Sequence, residues 1–218
     1  MMSETKKTRK AILRSVRRAR KAGRFSSTTQ SALRHRSFPL TFFIRNLLIL
    51  QREPWWLEAS PRVRKAHLLR MLKERSRIFL ETNRWIKKRQ EETGSTSQAW
   101  FAPAEPSSGS SYCSHCGGCC EIASGFPDFP PGAEIPPRWQ LVFGDGLGRG
   151  HRFCAFLWEF DASGQSFCAI HPWRSNPCRL FEAEECEYFM NDLKANPPFD
   201  QKDFSMACQR LSHLIYCG

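Results

Sequence analysis

The chain of 218 residues is long enough for one domain with an appendage or for two small domains. Hydrophobic residues make up 41% of it, a share typical of globular proteins and unlike that of disordered or membrane-embedded chains. The net charge is +12, but residues 1–92 hold 25 Lys/Arg against 7 Asp/Glu, whereas residues 93–218 hold 8 against 14. This asymmetry predicts two parts with different roles.

Residues 1–92, the basic part, have a mostly helical pattern. One helix is predicted from Lys6 to Lys21, with Ile12, Val16 and Ala19 on a shared face. A second helix is predicted to begin at Ser60-Pro61, because serine caps helices and proline suits the first helical position. It is expected to stop near Gly94, and its predicted apolar face comprises Val63, Leu69, Leu72, Phe79 and Ile86.

No transmembrane segment is expected. The longest apolar stretch, Phe38 to Leu50, is interrupted by Arg45 and is far shorter than the roughly 20 residues needed to cross a bilayer. The N-terminus also lacks the uninterrupted apolar core of an export signal, so a cytoplasmic protein is expected. Residues 1–52 contain many Arg and Ser and one acid, Glu4, which is also typical of a transit peptide to an organelle matrix.

The second part begins after residues 93–111, whose Ser-, Gly- and Pro-rich composition predicts a linker. Residues 112–218 are expected to form the next domain. Its predicted elements, in order, are a strand over Trp139–Phe143, a glycine-rich turn over Gly144–Gly150, a strand over His151–Phe160, a hairpin turn over Asp161–Gly164, a strand over Gln165–Ile170, a helix over 179–193 and a helix from Asp200 with Phe204, Cys208, Leu211 and Ile215 on one face.

Every one of the ten cysteines lies after residue 112, and eight of them form two clusters. Two-residue spacing in the first cluster lets a tight turn bring sulfur atoms to one metal ion. In the second, Cys168 is expected to lie opposite Cys154 across the hairpin. The candidate metal ligands are Cys113, Cys116, Cys119 and Cys120 in the first cluster and Cys154, Cys168, Cys178 and Cys186 in the second. Eight thiolates suit two four-coordinate sites or one polynuclear site.

A disulfide framework is the alternative interpretation of so many cysteines. It requires an oxidising compartment, and the N-terminus lacks an export signal. Thiolate ligation is therefore the favoured hypothesis. His115 and His171 are further candidate ligands, and Arg174 and Arg179 flank Cys178, where they would stabilise a thiolate, hold an anion or pair with nearby glutamates.

These motifs resemble a known family. The run CSHCGGCC (113–120), then CAFL (154–157) and CAIHPWRSNPCRLF (168–181), is similar to the CxxCxxCC cysteine-cluster family, the YkgJ-type zinc- or iron-chelating domain. Every cysteine of the family pattern is present over about 80 residues, although His171 replaces a usual tyrosine and Ser175 a usual proline. The resemblance implies chelation of zinc or of an iron–sulfur cluster.

The sequence as a whole predicts an α+β protein, in which a small irregular metal-stabilised domain with a β-hairpin and flanking helices follows a basic helical extension. The first functional hypothesis is a metal-binding module without turnover, and the second is an iron–sulfur-dependent enzyme or redox protein. A third is association with nucleic acid or another acidic partner through residues 1–92.

Overall fold

The structure, a computed structural model, describes residues 10–12, 14, 18, 21, 27–93, 129, 134–145, 147, 150–151, 153–159, 166–173, 183–185, 187–188, 191 and 201–217. Its elements, in chain order, are α1 (Ser27–Arg34), α2 (Leu40–Leu50), α3 (Pro54–Glu58), α4 (Pro61–Thr93), α5 (Pro137–Asp145), β1 (Leu157–Glu159), β2 (Ser166–Cys168), a 3-10 turn (His171–Trp173) and α6 (Gln201–Cys217). The fold is thus mostly helical with one small antiparallel hairpin, in agreement with an α+β class. No described helix is long and apolar enough to cross a bilayer.

Helix α4 is the longest element, with 33 residues and a length of about 50 Å. The Ser60 hydroxyl accepts a hydrogen bond from the Val63 backbone N–H at 3.3 Å, and Pro61 takes the first helical position. The predicted start is thus confirmed, and the described helix runs to Thr93, whereas Gly94, the predicted stop, lies outside the described residues. Of the predicted apolar face, four members are buried or half-buried, but Val63 is 53% exposed because the first turn projects beyond the core.

The main hydrophobic core draws on both parts of the chain. Helices α1, α2 and α4 share one buried cluster with the hairpin and with α6. At its centre the Phe79 ring of α4 lies 4.5 Å from the Trp158 ring of β1, measured between centroids. Phe38 packs edge-on against Phe79 at 5.3 Å. The basic helices are therefore built into the core that supports the second part, and the predicted linker of residues 93–111 lies, apart from its first residue, outside the described residues.

A second, smaller cluster surrounds α5, and here the predicted strand over Trp139–Phe143 is wrong. The segment forms a helix that begins at Pro137, with the Trp139 N–H donating to the Pro136 carbonyl at 2.8 Å. Helical spacing buries Trp139 and half-buries Val142, whereas Leu141 is 62% exposed. In a strand, Leu141 would have shared the buried face with Trp139.

The predicted hairpin is confirmed, but both of its strands are shorter than predicted. Strand β1 pairs antiparallel with β2, and Leu157 lies opposite Cys168. The expected pairing of Cys154 with Cys168 is therefore wrong. Strand β1 begins only at Leu157 because the preceding carbonyls of Phe153 and Cys154 accept hydrogen bonds from a side chain of α4 instead of from a strand. The predicted turn over 161–164 lies outside the described residues.

The last predicted helix is confirmed as α6, where Cys208 and Leu211 are buried and Phe204 is half-buried. The described residues of two further predicted helices are helical as well. These residues are 10–12, 14, 18 and 21 for the N-terminal helix and 183–185, 187–188 and 191 for the helix over 179–193.

Strand β1 also caps helix α2. The Glu159 side chain, which is fully buried, accepts backbone N–H groups of Thr41 at 2.5 Å and of Phe42 at 3.2 Å through Oε1. The residue at the N-cap of α2 is Pro39, which makes no side-chain capping bond. The Glu159 carboxylate, 118 residues after Thr41 in the sequence, therefore accepts hydrogen bonds from the first amides of α2. It also interacts favourably with the positive end of the helix dipole.

Replacing this carboxylate is expected to destabilise the fold. Glu159→Gln keeps an acceptor oxygen but loses the negative charge, which should lower the free energy of unfolding by about 1 kcal/mol. Glu159→Ala leaves two buried amides without an acceptor, and a loss of about 2–4 kcal/mol is expected. Urea denaturation followed by circular dichroism measures both, with the exposed Glu58→Gln as the matched control. An Ala variant as stable as this control would contradict the capping role.

Candidate metal centre

Two of the eight predicted ligands, Cys154 and Cys168, lie among the described residues. Cys154 lies three residues before β1, and Cys168 is the last residue of β2. Both are half-buried, carry thiols and pack against the smaller hydrophobic cluster that contains Phe156. The hairpin therefore brings two predicted ligands to one side of the molecule. The other six, Cys113, Cys116, Cys119, Cys120, Cys178 and Cys186, lie outside the described residues.

The sulfur of Cys154 has a polar environment. It accepts a hydrogen bond from the Phe156 backbone N–H at 3.4 Å, two residues further along the chain. Hydrogen bonds to sulfur stabilise the negative charge of a metal-bound thiolate and tune the metal that it holds. The turn that presents this amide is closed by the Leu157 N–H, which donates to the Cys154 carbonyl at 3.4 Å.

A buried arginine from α4 holds the backbone of this segment. Arg75 is 2% exposed, and its Nη1 donates to the Cys154 carbonyl at 2.9 Å. Its Nη2 donates to the Phe153 carbonyl, and the guanidinium carbon lies 3.5 Å from the centroid of the Phe153 ring. Charge-assisted hydrogen bonds and a cation–π contact thus replace the water that a guanidinium loses on burial. The position of Cys154 relative to α4 is fixed in this way.

His151 completes the hydrogen bonding of Arg75. The Arg75 Nε donates to His151 Nδ1 at 3.0 Å, so the proton of the neutral imidazole is on Nε2. That Nε2 lies 2.8 Å from Glu74 Oε2, to which it donates. Three side chains therefore form a chain of donors and acceptors that runs from the buried guanidinium to a carboxylate with a partly exposed side chain.

Burial sets the protonation states in this network. Burial lowers the pKa of His151 to about 2, and the positive charge of Arg75 adds to the effect. Burial also lowers the pKa of Arg75 to about 9, against the opposing negative charges of Cys154 and Glu74. At neutral pH the histidine is therefore neutral and the arginine charged. The contact between His151 and Glu74 is accordingly a hydrogen bond and not an ion pair.

The segment before Cys154 is anchored at Gly150. Its carbonyl accepts the Asn46 side-chain amide of α2 at 2.8 Å, and its φ is +94°, a value that glycine adopts readily and other residues rarely do. A Cβ at this position would collide with His67 Nε2 of α4. The predicted glycine-rich turn is thus confirmed at Gly150, where the chain passes too close to α4 for a Cβ, but its predicted start is wrong, because Gly144 belongs to helix α5.

Other predicted features contribute less. His171, a candidate ligand, is half-buried at the start of the 3-10 turn, whereas His115, Arg174 and Arg179 lie outside the described residues. Within the described part of the chain, no three His, Cys, Asp or Glu side chains are grouped as a metal site.

Three supporting residues, Arg75, His151 and Glu74, are absent from the set predicted from the sequence. A signal was present for Arg75, because it falls on the buried face of α4 between Leu72 and Phe79, at the spacing of core positions. A lone charge at such a position requires an internal partner. Nothing in the sequence identified that partner, since His151 is 76 residues away.

Comparisons with protein family models, with curated proteins and with solved structures find no match to this chain.

Acidification should weaken the fold through His151. An unfolded histidine gains its proton below a pH of about 6.5, whereas the folded His151 stays neutral down to about pH 2. Its contribution to stability is therefore complete above pH 6.5 and declines as the pH falls, by up to about 1.4 kcal/mol per pH unit. Urea denaturation between pH 7.5 and 5 measures this slope.

The variant His151→Gln should show a shallower loss of stability on acidification than the unaltered protein, although it is less stable at pH 7.5. The exposed His213→Gln is the matched control for replacing a histidine by glutamine at the surface. Equal slopes for the unaltered protein and His151→Gln would refute a buried neutral imidazole at this position.

Proposed function

We propose that the protein is a metal-binding module in which cysteine thiolates hold zinc or an iron–sulfur cluster. The observation that carries the proposal is the setting of Cys154, whose sulfur accepts a backbone amide and lies in the field of the Arg75 cation. An amide donor and a nearby positive charge both favour a thiolate, the form that binds metal. A half-buried cysteine that serves only in packing needs neither an amide donor to its sulfur nor a nearby positive charge.

Cys154 and Cys168 would supply two sulfur ligands from the hairpin. The other six cysteines named above would supply the rest, which is the ligand set that the resemblance to the YkgJ-type domain implies. A closed zinc site would contribute its binding energy to folding, and an iron–sulfur cluster would also accept and donate electrons. Thiolates persist in a reducing compartment such as the cytoplasm, which this proposal favours.

Single cysteine replacements test the ligand assignment. Cys154→Ser and Cys168→Ser should each lower the metal content per chain in protein purified without oxygen, because serine is a poor ligand for these metals. The melting temperature should fall with the metal content, by about 2–4 °C for each kcal/mol by which stability decreases in a chain of this size. Elemental analysis and thermal denaturation give the two readouts.

Cys208→Ser is the matched control, because Cys208 is a buried cysteine of the main core on α6 that is not among the predicted ligands. It should keep full metal content even if it loses some stability. A stoichiometric, colourless zinc protein would identify a closed site, and a brown protein would identify an iron–sulfur centre able to serve an enzyme or a redox reaction. Full metal content in both hairpin variants would exclude Cys154 and Cys168 as ligands.

Association with nucleic acid is a second candidate function, and the outer face of α4 favours it. Seven exposed Lys and Arg side chains lie within about 100° of arc on this helix, over about 39 Å of its length. We call them the basic stripe: Arg62, Arg70, Lys73, Arg77, Arg84, Lys87 and Lys88. The exposed acids of α4, Glu91 and Glu92, come only at its C-terminal end. A one-sided row of cations suits the phosphates of a nucleic acid backbone.

Neutralising part of this stripe tests the second function. Lys73→Gln, Arg84→Gln and Lys87→Gln combined should weaken binding to single- or double-stranded nucleic acid. A plot of the logarithm of the binding constant against the logarithm of the salt concentration should also become shallower. Its slope should change by about 0.7–0.9 for each phosphate that is no longer neutralised. Fluorescence anisotropy at several salt concentrations gives both quantities.

A control with the same change in net charge combines Arg34→Gln, Arg52→Gln and Lys202→Gln, which are exposed positions outside α4. It should bind nearly as well as the unaltered protein. Equally weakened binding in both triple variants would mean that net charge alone, and not the basic stripe, drives binding.

A further inference from the structure

A cleft between helices is lined by described residues that include none of the predicted metal ligands. It has a volume of about 470 Å³ and lies where the ends of α2 and α3, the start of α4 and the C-terminal half of α6 meet. Its walls include Trp56, Leu57, Arg64, Arg210 and His213. Ligand sites for small molecules typically have volumes of this order.

The charge of the cleft is positive. Arg64 and Arg210 line it, and neither forms an ion pair with a described carboxylate. None of the described lining residues is acidic. The imidazole of His213 lines the same cleft. Two guanidinium groups without a compensating acid create a positive potential that attracts anions.

The protein orients both guanidinium groups. Arg64 Nη2 donates to the Leu57 carbonyl at 2.6 Å, and Arg210 Nη1 donates to Gln51 Oε1 at 2.8 Å. Each contact uses one of the five N–H donors of an arginine, so donors remain for an oxyanion. A guanidinium already held by one hydrogen bond loses less conformational entropy on binding a ligand than a freely rotating one does.

The remaining walls are apolar. Trp56 is buried, Pro61 begins α4, and Leu57 is 62% exposed at the cleft. Exposed leucine beside two oriented cations suits a ligand that carries an apolar body next to its negative charge, because the leucine removes that body from water while the guanidinium groups bind the oxyanion.

We propose that this cleft binds a small organic anion in which a phosphate or carboxylate group is joined to an aromatic or other apolar body. Phenyl phosphate is a probe that contains both parts, and inorganic phosphate and phenol each contain one. The full-length protein should bind phenyl phosphate about tenfold or more tightly than either of the other two, since the apolar and charged contacts add. Calorimetric or NMR titration measures the three affinities.

Variants separate the two kinds of contact. Arg210→Gln should weaken phenyl phosphate binding by about tenfold, the effect expected for one charge-assisted hydrogen bond, and Arg64→Gln should act similarly. Leu57→Ser should weaken binding of phenyl phosphate but not of inorganic phosphate. Two controls match these changes, the exposed Lys202→Gln on α6 and Leu141→Ser on α5, where Leu141 is also 62% exposed.

Two results would overturn the proposal. If phenyl phosphate bound no more tightly than inorganic phosphate, the apolar wall would have no role in recognition. If Arg210→Gln and Arg64→Gln both bound phenyl phosphate like the unaltered protein, with circular dichroism confirming that they are folded, the cleft would not be the binding site.

Discussion

The buried guanidinium of Arg75 is the interaction on which the arrangement of this molecule depends. Moving a charge out of water costs several kcal/mol unless hydrogen bonds replace its hydration, and Arg75 obtains them from the carbonyls of Phe153 and Cys154 and from His151. These acceptors belong to the segment that carries a predicted metal ligand. The hydrogen bonds that the buried Arg75 requires therefore determine where Cys154 lies relative to α4.

The same segment is tied to the helices at two further points. Gly150 binds Asn46 of α2 through its carbonyl, and the Glu159 carboxylate caps the first turn of that helix. These contacts join residues more than 100 positions apart, so they depend on the tertiary fold and not on local sequence. Energy gained by metal binding at the hairpin would consequently stabilise the helices as well.

Local patterns are predictable from the sequence, and long-range partnerships are not. The start of α4 follows from Ser60 and Pro61, which act within one helical turn. The segment around Trp139 is too short for its pattern to separate strand from helix, since a short, mostly apolar run is compatible with both. In the structure it is helical, and Trp139 packs on Trp85 and Phe156. The position of Cys154 is also unpredictable from local sequence. It depends on hydrogen bonds from Arg75, which is distant in the sequence.

Helix α4 holds 11 of the 25 Lys and Arg side chains of residues 1–92, and its two faces differ. Its buried face, from Leu68 to Ile86, forms the core and presents Arg75 to the cysteine segment, whereas the basic stripe lies on the opposite side of the same helix. A ligand on the outer face would therefore not compete with metal at the hairpin. Both sites would be supported by the same helix, which is about 50 Å long.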